Sequence, residues 1–412
     1  MGLREDERGE RQANEGSKNA FNHADDYMYN YAVLTVIGGI VVLLIWLVIV
    51  FARGRFWSVR TNLLRAGDSE HRPVRVCVVI PARNEAETIG RIVTALLSQK
   101  FNGTLRLIIV DDDSEDQTAT VAARAADVIG RRDALTVITG MPLPEGWTGK
   151  LWAVSQGLKR AQAFSPDYLL LTDADIEHGP LTLSTLVAKA EREQLALTSL
   201  MVRLHCRTLP EKMIIPAFVY FFFLLYPPRW IANPQGRTAG AAGGCMLVRP
   251  DALARAGGIE SIRSEIIDDC ALAKAIKRSG GRVWLGLADA SSSVRPYASV
   301  RELRRMIERT AFNQLNHSML LLIGTVVGLL LTFVLPVALL LSGSPAARGL
   351  ATAAIVLMLA SYVPIVLYHG LFPMWSLALP LSACFYLWAT LLSARNFHRG
   401  RGGQWKGRVQ DR

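Results

Sequence analysis

The stretch Asp167-Tyr-Leu-Leu-Leu-Thr-Asp-Ala-Asp-Ile176 sets the tightest limit on how this chain can fold. Its apolar run, Tyr168 to Leu171, is short, unbroken and without polar alternation. Such a run reads as a strand buried on both faces, the situation inside a parallel sheet. It ends in two carboxylates, Asp173 and Asp175, one residue apart. In open α/β sheets ligands bind outside the carboxyl ends of the strands, where these acids fall. Paired carboxylates there suit Mg²⁺ or Mn²⁺ arriving with phosphate groups. Acidic residues also cap the loops and helices that follow strands. On this stretch alone both readings stand.

The rest of the chain supplies the sheet. Val76–Ile80, Leu105–Val110 and Leu135–Ile138 read as strands, each followed by a helical pattern: about 88–99, up to 126, and 150–163. Strands alternating with helices of this length imply βαβ units and a parallel sheet with helices on both faces. Beyond Asp175 a helix over about 181–194 leads to a strand at Leu197–Met201. The glycine-dense Gly240–Gly244 runs into another strand ending at Val248. A helix from about Ile266 to Ser279 and a strand at Arg282–Leu287 complete the pattern.

Half of the 412 residues are hydrophobic, a high share for a charged globular domain, and the excess is localised. Tyr31 to Ala52 is nearly unbroken apolar sequence, long enough to cross a hydrocarbon core of about 30 Å. Met319–Leu341, Gly349–Tyr368 and Met374–Ser393 are similar. The organisation expected is a disordered segment 1–26, a retained transmembrane anchor 27–53 and a linker 54–74. An α/β domain 75–299, a basic interfacial helix 300–317, membrane segments 318–394 and a basic tail 395–412 follow. The aromatic run 213–228 is expected to be interfacial or re-entrant, because a crossing there would split the acidic clusters between two sides of the membrane.

The net charge is +11. No nucleic-acid motif accompanies it, and the arginines gather beside apolar spans, as they do on the cytoplasmic side of membranes. A crossing by all three C-terminal segments would put the basic tail outside, against that rule. Either Gly349–Tyr368 or Met374–Ser393 is therefore expected not to span, leaving the tail cytoplasmic with Trp405, Lys406 and Arg408 near the active-site rim or at lipid headgroups. The five cysteines show neither metal spacing nor a disulfide framework and read as small hydrophobes. His178 reads as a solvated loop histidine.

Three acidic clusters thus stand at the ends of elements: Asp111-Asp112-Asp113, Asp173/Asp175 and Asp268/Asp269. With Ile80-Pro-Ala-Arg-Asn-Glu85 and Asp268-Asp-x-x-Leu272, their order resembles that of family 2 glycosyltransferases with a GT-A fold, over about Arg75 to Arg309. Gly146-Trp-Thr-Gly-Lys-Leu-Trp152, Ala242–Val248, Ile267–Leu272 and Gln404-Trp-Lys-Gly-Arg408 resemble the bacterial hopene-associated subgroup, through to the tail. The resemblance implies an α/β GT-A domain with a mostly parallel, Rossmann-like sheet, between N-terminal and C-terminal transmembrane helices.

It also implies roles. Pro81, Ala82, Arg83 and Glu85 would line a nucleotide pocket, Asp112, with Asp111 as the alternative, would receive the base, and Lys150 would lie near the donor. Asp175 would ligate a divalent metal, Mg²⁺ or Mn²⁺, with Asp173 beside the nucleotide sugar. Asp269 would be the general base, with Asp268 orienting it, and helix capping stands as the alternative for this pair. The reaction expected is inverting transfer of one sugar from a nucleotide donor, a UDP-sugar first, to a membrane lipid such as a hopanoid or polyprenyl phosphate. A silent scaffold binding nucleotide sugar or lipid is the reading from another class. The site would be the bacterial inner membrane, with the α/β domain cytoplasmic. The polymer-forming motif QxxRW is reduced to Met306-Ile-Glu-Arg-Thr310, leaving Arg309 for pyrophosphate or lipid.

Overall fold

The computed structural model describes residues 28–65 and 70–400, and the backbone of two short antiparallel strands, Gln404–Trp405 and Arg408–Val409. The segment 1–26 and Lys406 lie outside the described residues, as do the side chains of Trp405 and Arg408. The chain divides into two compact units: residues up to 52 with 326–361, and residues 53–325 with those from 362 on.

The first unit is helical. Its helices pack through close contacts rather than charge: Gly39 admits Leu350 so closely that a Cβ would stand 3.0 Å from the leucine Cβ. Trp46 is fully buried, donates its indole N–H to the Thr332 carbonyl (2.9 Å) and meets the Phe333 ring edge-on at 5.6 Å. A buried tryptophan needs such a partner, because an unsatisfied N–H in an apolar setting is costly.

The second unit is built on a nine-stranded sheet. Its strands are β1 (Leu63–Leu64), β2 (Val74–Ala82), β3 (Gly103–Asp111), β4 (Leu135–Thr139), β5 (Tyr168–Thr172), β6 (Ile176–His178), β7 (Leu197–Arg203), β8 (Cys245–Val248) and β9 (Val283–Ser293). The spatial order is β1-β9-β7-β8-β5-β2-β3-β4, with β6 paired to β9. β4, β3, β2 and β5 run parallel, as do β7, β9 and β1; β8 is antiparallel to both β5 and β7. Eight of the nine β2 residues and all five of β5 are buried, which accounts for their lack of alternation. Each buried valine, isoleucine or leucine there contributes about 1.5–3 kcal/mol.

Helices α1 (Ile89–Leu97), α2 (Thr118–Val128), α3 (Gly149–Ala161) and α4 (Thr182–Arg192) follow their strands as the βαβ pattern expects. α3 lies so close to the sheet that a Cβ on Gly157 would stand 2.4 Å from a Val79 methyl. The expected strand 282–287 is longer, running on to Ser293, and the short β6 pairs with that extension. The aromatic run forms helix α5 (Leu209–Leu225), opened by a capping box between Thr208 and Glu211. Glu211 is completely buried and also accepts from His205 Nδ1 (2.8 Å) and Tyr297 N (2.9 Å). α6 (Asp268–Arg278) begins with the two predicted acids, and α7 (Val300–Gln314) is the basic helix.

Among the described residues, five helices are long and apolar enough to cross a membrane: Met28–Ala52, Leu209–Ala232, Met319–Leu339, Pro345–Tyr368 and Pro373–His398. Their number is that of a membrane protein. All five cysteines are free; Cys77, Cys245 and Cys270 are buried, whereas Cys384 is exposed rather than packed as a core hydrophobe.

Candidate active site

The loops after β2 and β3 are stitched together. Asp112 donates its backbone N–H to the Ala82 carbonyl (2.8 Å), and Arg83 Nη1 donates to the Asp112 carbonyl (2.6 Å). The same guanidinium lies 3.7 Å from the Asp112 carboxylate, which is 1% exposed. Asn84 and Asp113 adopt left-handed backbone (φ +53° and +58°), a conformation short polar side chains tolerate. The Glu85 N–H is held by the Thr118 hydroxyl (2.8 Å) and its carboxylate accepts from Thr88 Oγ1 (3.0 Å). These contacts fix a polar edge at the carboxyl ends of β2 and β3, beside Pro81.

Next to it, three segments far apart in sequence meet. Lys150, the second residue of α3, places Nζ 3.0 Å from Asp173 Oδ1 and 3.2 Å from Asp268 Oδ2. Asp269 turns from the lysine to the backbone: Oδ2 accepts from Gly243 N (2.8 Å) and Oδ1 from Cys270 N (2.7 Å). A Cβ on Gly243 would stand 3.3 Å from Lys150 Nζ and 3.4 Å from Asp269 Oδ2, so the glycine loop lets both groups approach its backbone. Burial works against the Lys150 ammonium, but the three carboxylates outweigh it and hold the charge. Burial pushes the Asp173 carboxyl up, the Asp175 charge adds to this, and Lys150 opposes it. Burial, with the neighbouring Asp268 charge, raises Asp269 to about 6 despite its two N–H donors and the lysine.

Asp175 is held from the other side. Its Oδ2 accepts from Ser293 Oγ (3.0 Å) and lies 3.3 Å from Arg295 Nε, and Arg295 also forms an ion pair with Glu85. Among the described residues no three His, Cys, Asp or Glu side chains converge as a self-sufficient metal site. Yet Asp173 Oδ2 and Asp175 Oδ1 have no hydrogen-bond partner among those residues. Two hard carboxylate oxygens, one from each acid, fit a cation whose remaining ligands are phosphates and water. Arg309 is exposed on α7, and its side chain has no ion pair among the described residues; Tyr297 lies within electrostatic range of both Arg309 and Asp175.

His178 is not a solvated loop histidine. It is 3% exposed, on β6, with Nε2 2.9 Å from Thr172 Oγ1 and Nδ1 3.0 Å from Ser291 Oγ. The Thr172 hydroxyl donates to the Gly244 carbonyl (2.7 Å), so it accepts from Nε2–H and leaves Nδ1 to accept. Burial lowers its pKa to about 4, which keeps it neutral. Arg295, Ser293 and this network escaped the sequence reading, because single polar residues at the end of a strand carry no spacing signal.

Comparison with known proteins agrees with this architecture. Residues 77–257 match the family model for glycosyl transferase family 2. An N-acetylglucosaminyltransferase from Rhizobium leguminosarum bv. viciae is 32% identical over 126 residues, 30% of this chain and 27% of the relative. A 4,4'-diaponeurosporenoate glycosyltransferase from Staphylococcus haemolyticus is 29% identical over 124 residues, 29% of each chain. An uncharacterized protein from Methanocaldococcus jannaschii is 30% identical over 112 residues, 27% of this chain. The alignment covers 40% of that relative, so this chain spans well under two thirds of the length of these relatives. In three dimensions the chain is similar to a mannosyltransferase from Pyrobaculum calidifontis, solved in complex with GDP-Man and Mn²⁺. The TM-score is 0.53 at 19% identity, covering 85% of this chain and 98% of that one. The stretch 77–257 that matches glycosyl transferase family 2 is carried by a GT-A fold.

Proposed function

We propose that the protein transfers a single sugar from a nucleotide donor, a UDP-sugar first, to a membrane lipid with inversion at the anomeric carbon. The observation that carries this is the convergence of Lys150 on Asp173 and Asp268 at 3.0 and 3.2 Å, with Asp269 fixed beside them by the Gly243 N–H. Pro81, Ala82, Arg83, Glu85 and Asp112 would form the nucleotide hollow, with the Asp112 carboxylate receiving the base. Asp173 and Lys150 would face the sugar diphosphate. The open oxygens of Asp173 and Asp175 would hold Mg²⁺ or Mn²⁺, which supplies Lewis-acid stabilisation of a departing diphosphate when bound.

Asp269 would accept the proton of the attacking acceptor hydroxyl. A carboxyl raised to about 6 is a stronger base than an ordinary aspartate and is still ionised at neutral pH. Its two backbone donors would aim it, while Asp268, tied to Lys150, would steer the lysine and keep the base's surroundings charged. Arg309 would act at the rim, as a weaker contact for the diphosphate. The apolar helices and the arginines beside them support a bacterial inner-membrane protein with its catalytic unit and tail in the cytoplasm. A hopanoid is the first neutral acceptor to try, and a polyprenyl phosphate the first charged one.

The test offers the purified full-length protein a panel of nucleotide sugars with Mn²⁺ and extracted membrane lipid, and follows nucleotide release and glycolipid together. Nucleotide release without any glycolipid product across the panel would remove the lipid-acceptor reading. Full turnover with every divalent ion chelated would remove the metal role of Asp175.

A further inference from the structure

We infer that a second, basic cleft on the other side of the Asp269 turn holds the phosphate headgroup of a membrane lipid. The cleft is open and has a volume of about 870 Å³. Arg237, Arg255, Lys274 and Arg278 line it, with Glu265 as its one lining acid. The Arg255 guanidinium is already paired with Asp251 at 2.7 Å. Arg237, Lys274 and Arg278 are exposed and, among the described residues, have no ion pair. Three unpaired cations around one hollow concentrate a positive potential that calls for an anion.

The cluster is built rather than incidental. Lys277, on the same helix α6, donates to the carbonyls of Ile231 (2.7 Å), Thr238 (2.7 Å) and Trp230 (3.3 Å). That lysine is spent on fastening the loop 230–238 to the helix, and the fastening brings Arg237 to the same cleft as Lys274 and Arg278. Two of these cations lie one helical turn apart on α6, at i and i+4, so they share a face.

The neighbours of the cations select an amphiphile over a soluble anion. Leu225 and Tyr226 at the end of α5 form one wall, and Asn313, Gln314 and Asn316 form another. Tyr226 and Gln314 join the walls by a hydrogen bond of 2.9 Å. Immediately after the second wall begins the apolar helix Met319–Leu339, whose Met319, Leu320 and Leu321 are exposed. Cations and exposed apolar side chains thus share one rim, as a phosphate-bearing headgroup with acyl or prenyl chains requires.

The cleft also reaches the reaction centre. Ile267 and Cys270 line it, and Asp269 lies between them in sequence. Asp268 lines the hollow that holds Lys150 and Asp173. The first turn of α6 therefore separates a donor hollow from the basic cleft. On the glycosyl-transfer reading above, on which this assignment of role rests, the cleft is the acceptor subsite and favours a phosphate-bearing lipid over a neutral one.

Full-length protein in nonionic detergent is titrated calorimetrically with dihexanoyl phosphatidic acid, with dihexanoyl phosphatidylcholine and with inorganic phosphate. The phosphatidic acid should bind, and the Arg237→Glu/Lys274→Glu/Arg278→Glu variant should bind it at least tenfold more weakly. Lys274→Glu alone, a single exposed change, should weaken it about threefold and keeps the test decisive if the triple variant misfolds. Equal binding of phosphatidylcholine would overturn charge recognition, and phosphate binding as tight as the lipid would leave a free-anion site in place of a lipid site. Unchanged affinity in the variants would remove the cleft altogether. Binding of UDP and of the panel's other nucleoside diphosphates to the wild-type protein is measured in parallel. If neither UDP nor any other nucleoside diphosphate of the panel binds while the lipid does, the glycosyl-transfer reading falls and the headgroup site stands.

Discussion

The two halves of the sheet arm their edge in different ways. In the half made by β4, β3, β2 and β5, the strands run parallel, and Asp112 and Asp173 sit just past strand ends. In the half made by β8, β7 and β9, β8 runs against the parallel pair β7 and β9, and Asp269 stands on the first turn of a helix, aimed by the backbone of the glycine loop. Strand ends set the position of a group through the sheet itself. The second half holds Asp269, the proposed base, through two N–H donors, while a lysine reaching over from the first half pairs with the neighbouring Asp268. A strand tip suits binding that must be rigid, whereas a helix turn beside a loop can be tuned by small shifts of backbone.

The difference can be attacked where the halves meet. Asp269→Asn keeps the shape and one of the two backbone hydrogen bonds but removes the proposed base; glycolipid formation should fall about 10³-fold with nucleotide affinity unchanged. An unaltered rate would move the base elsewhere. Lys150→Met removes a cation shared by both halves and leaves three crowded carboxylates. It should slow transfer on the order of 100-fold and lower unfolding free energy by about 3 kcal/mol, measured in denaturant. A loss of activity without loss of stability would confine the lysine to chemistry.

Acidity separates the halves without mutation. With Asp269 raised to about 6, the rate should fall roughly tenfold per pH unit below that value, as the base takes up its proton. Stability moves the other way. A carboxyl that binds its proton more tightly folded than at the ordinary 3.8 adds stability in acid, and this is lost as the pH climbs through about 6. A flat rate profile between pH 5 and 7 would contradict the burial of the base. Thr172→Val cuts the strut from β5 to Gly244 and strands a buried carbonyl, which should cost about 2 kcal/mol in thermal or chemical unfolding. The smallest effect belongs to the rim: Arg309→Ala should change the donor KM about twofold, and a tenfold change would bring that arginine into the site.

How much of this could be read from the residues follows the same division. β2, β3 and β5 were visible because strands covered on both faces must be apolar throughout, and their terminal acids stand out against that background. The extension of β9 was invisible, since Ser291, Ser292 and Ser293 carry no burial pattern although two of them hold His178 and Asp175. His178 looked solvated because Asp175 and Glu177 precede it and Gly179-Pro180 follow in sequence; its partners are hydroxyls brought by other strands. The antiparallel β8 followed from no local signal, because direction is a property of the path and not of the four residues Cys245–Val248. Arg295 is read only in three dimensions, where it bridges Glu85 and Asp175.

One contact carries a consequence for topology. The Tyr368 hydroxyl, at the end of the helix Pro345–Tyr368, donates to the Ala288 carbonyl of β9 at 2.6 Å, and the Arg203 guanidinium lies over its ring at 4.8 Å. The chain leaves this unit after α7 and is back on the sheet at Tyr368. Between a departure and a return to one body on one side of a bilayer, the number of crossings is even, whatever the lengths of the helices between. Leu379–His398 binds α7 through Ser393, whose hydroxyl takes the Phe312 N–H at 3.1 Å, and Arg304 of α7 lies over the ring of Trp388. Through these contacts the last helix is fastened along α7 to the unit that carries the sheet.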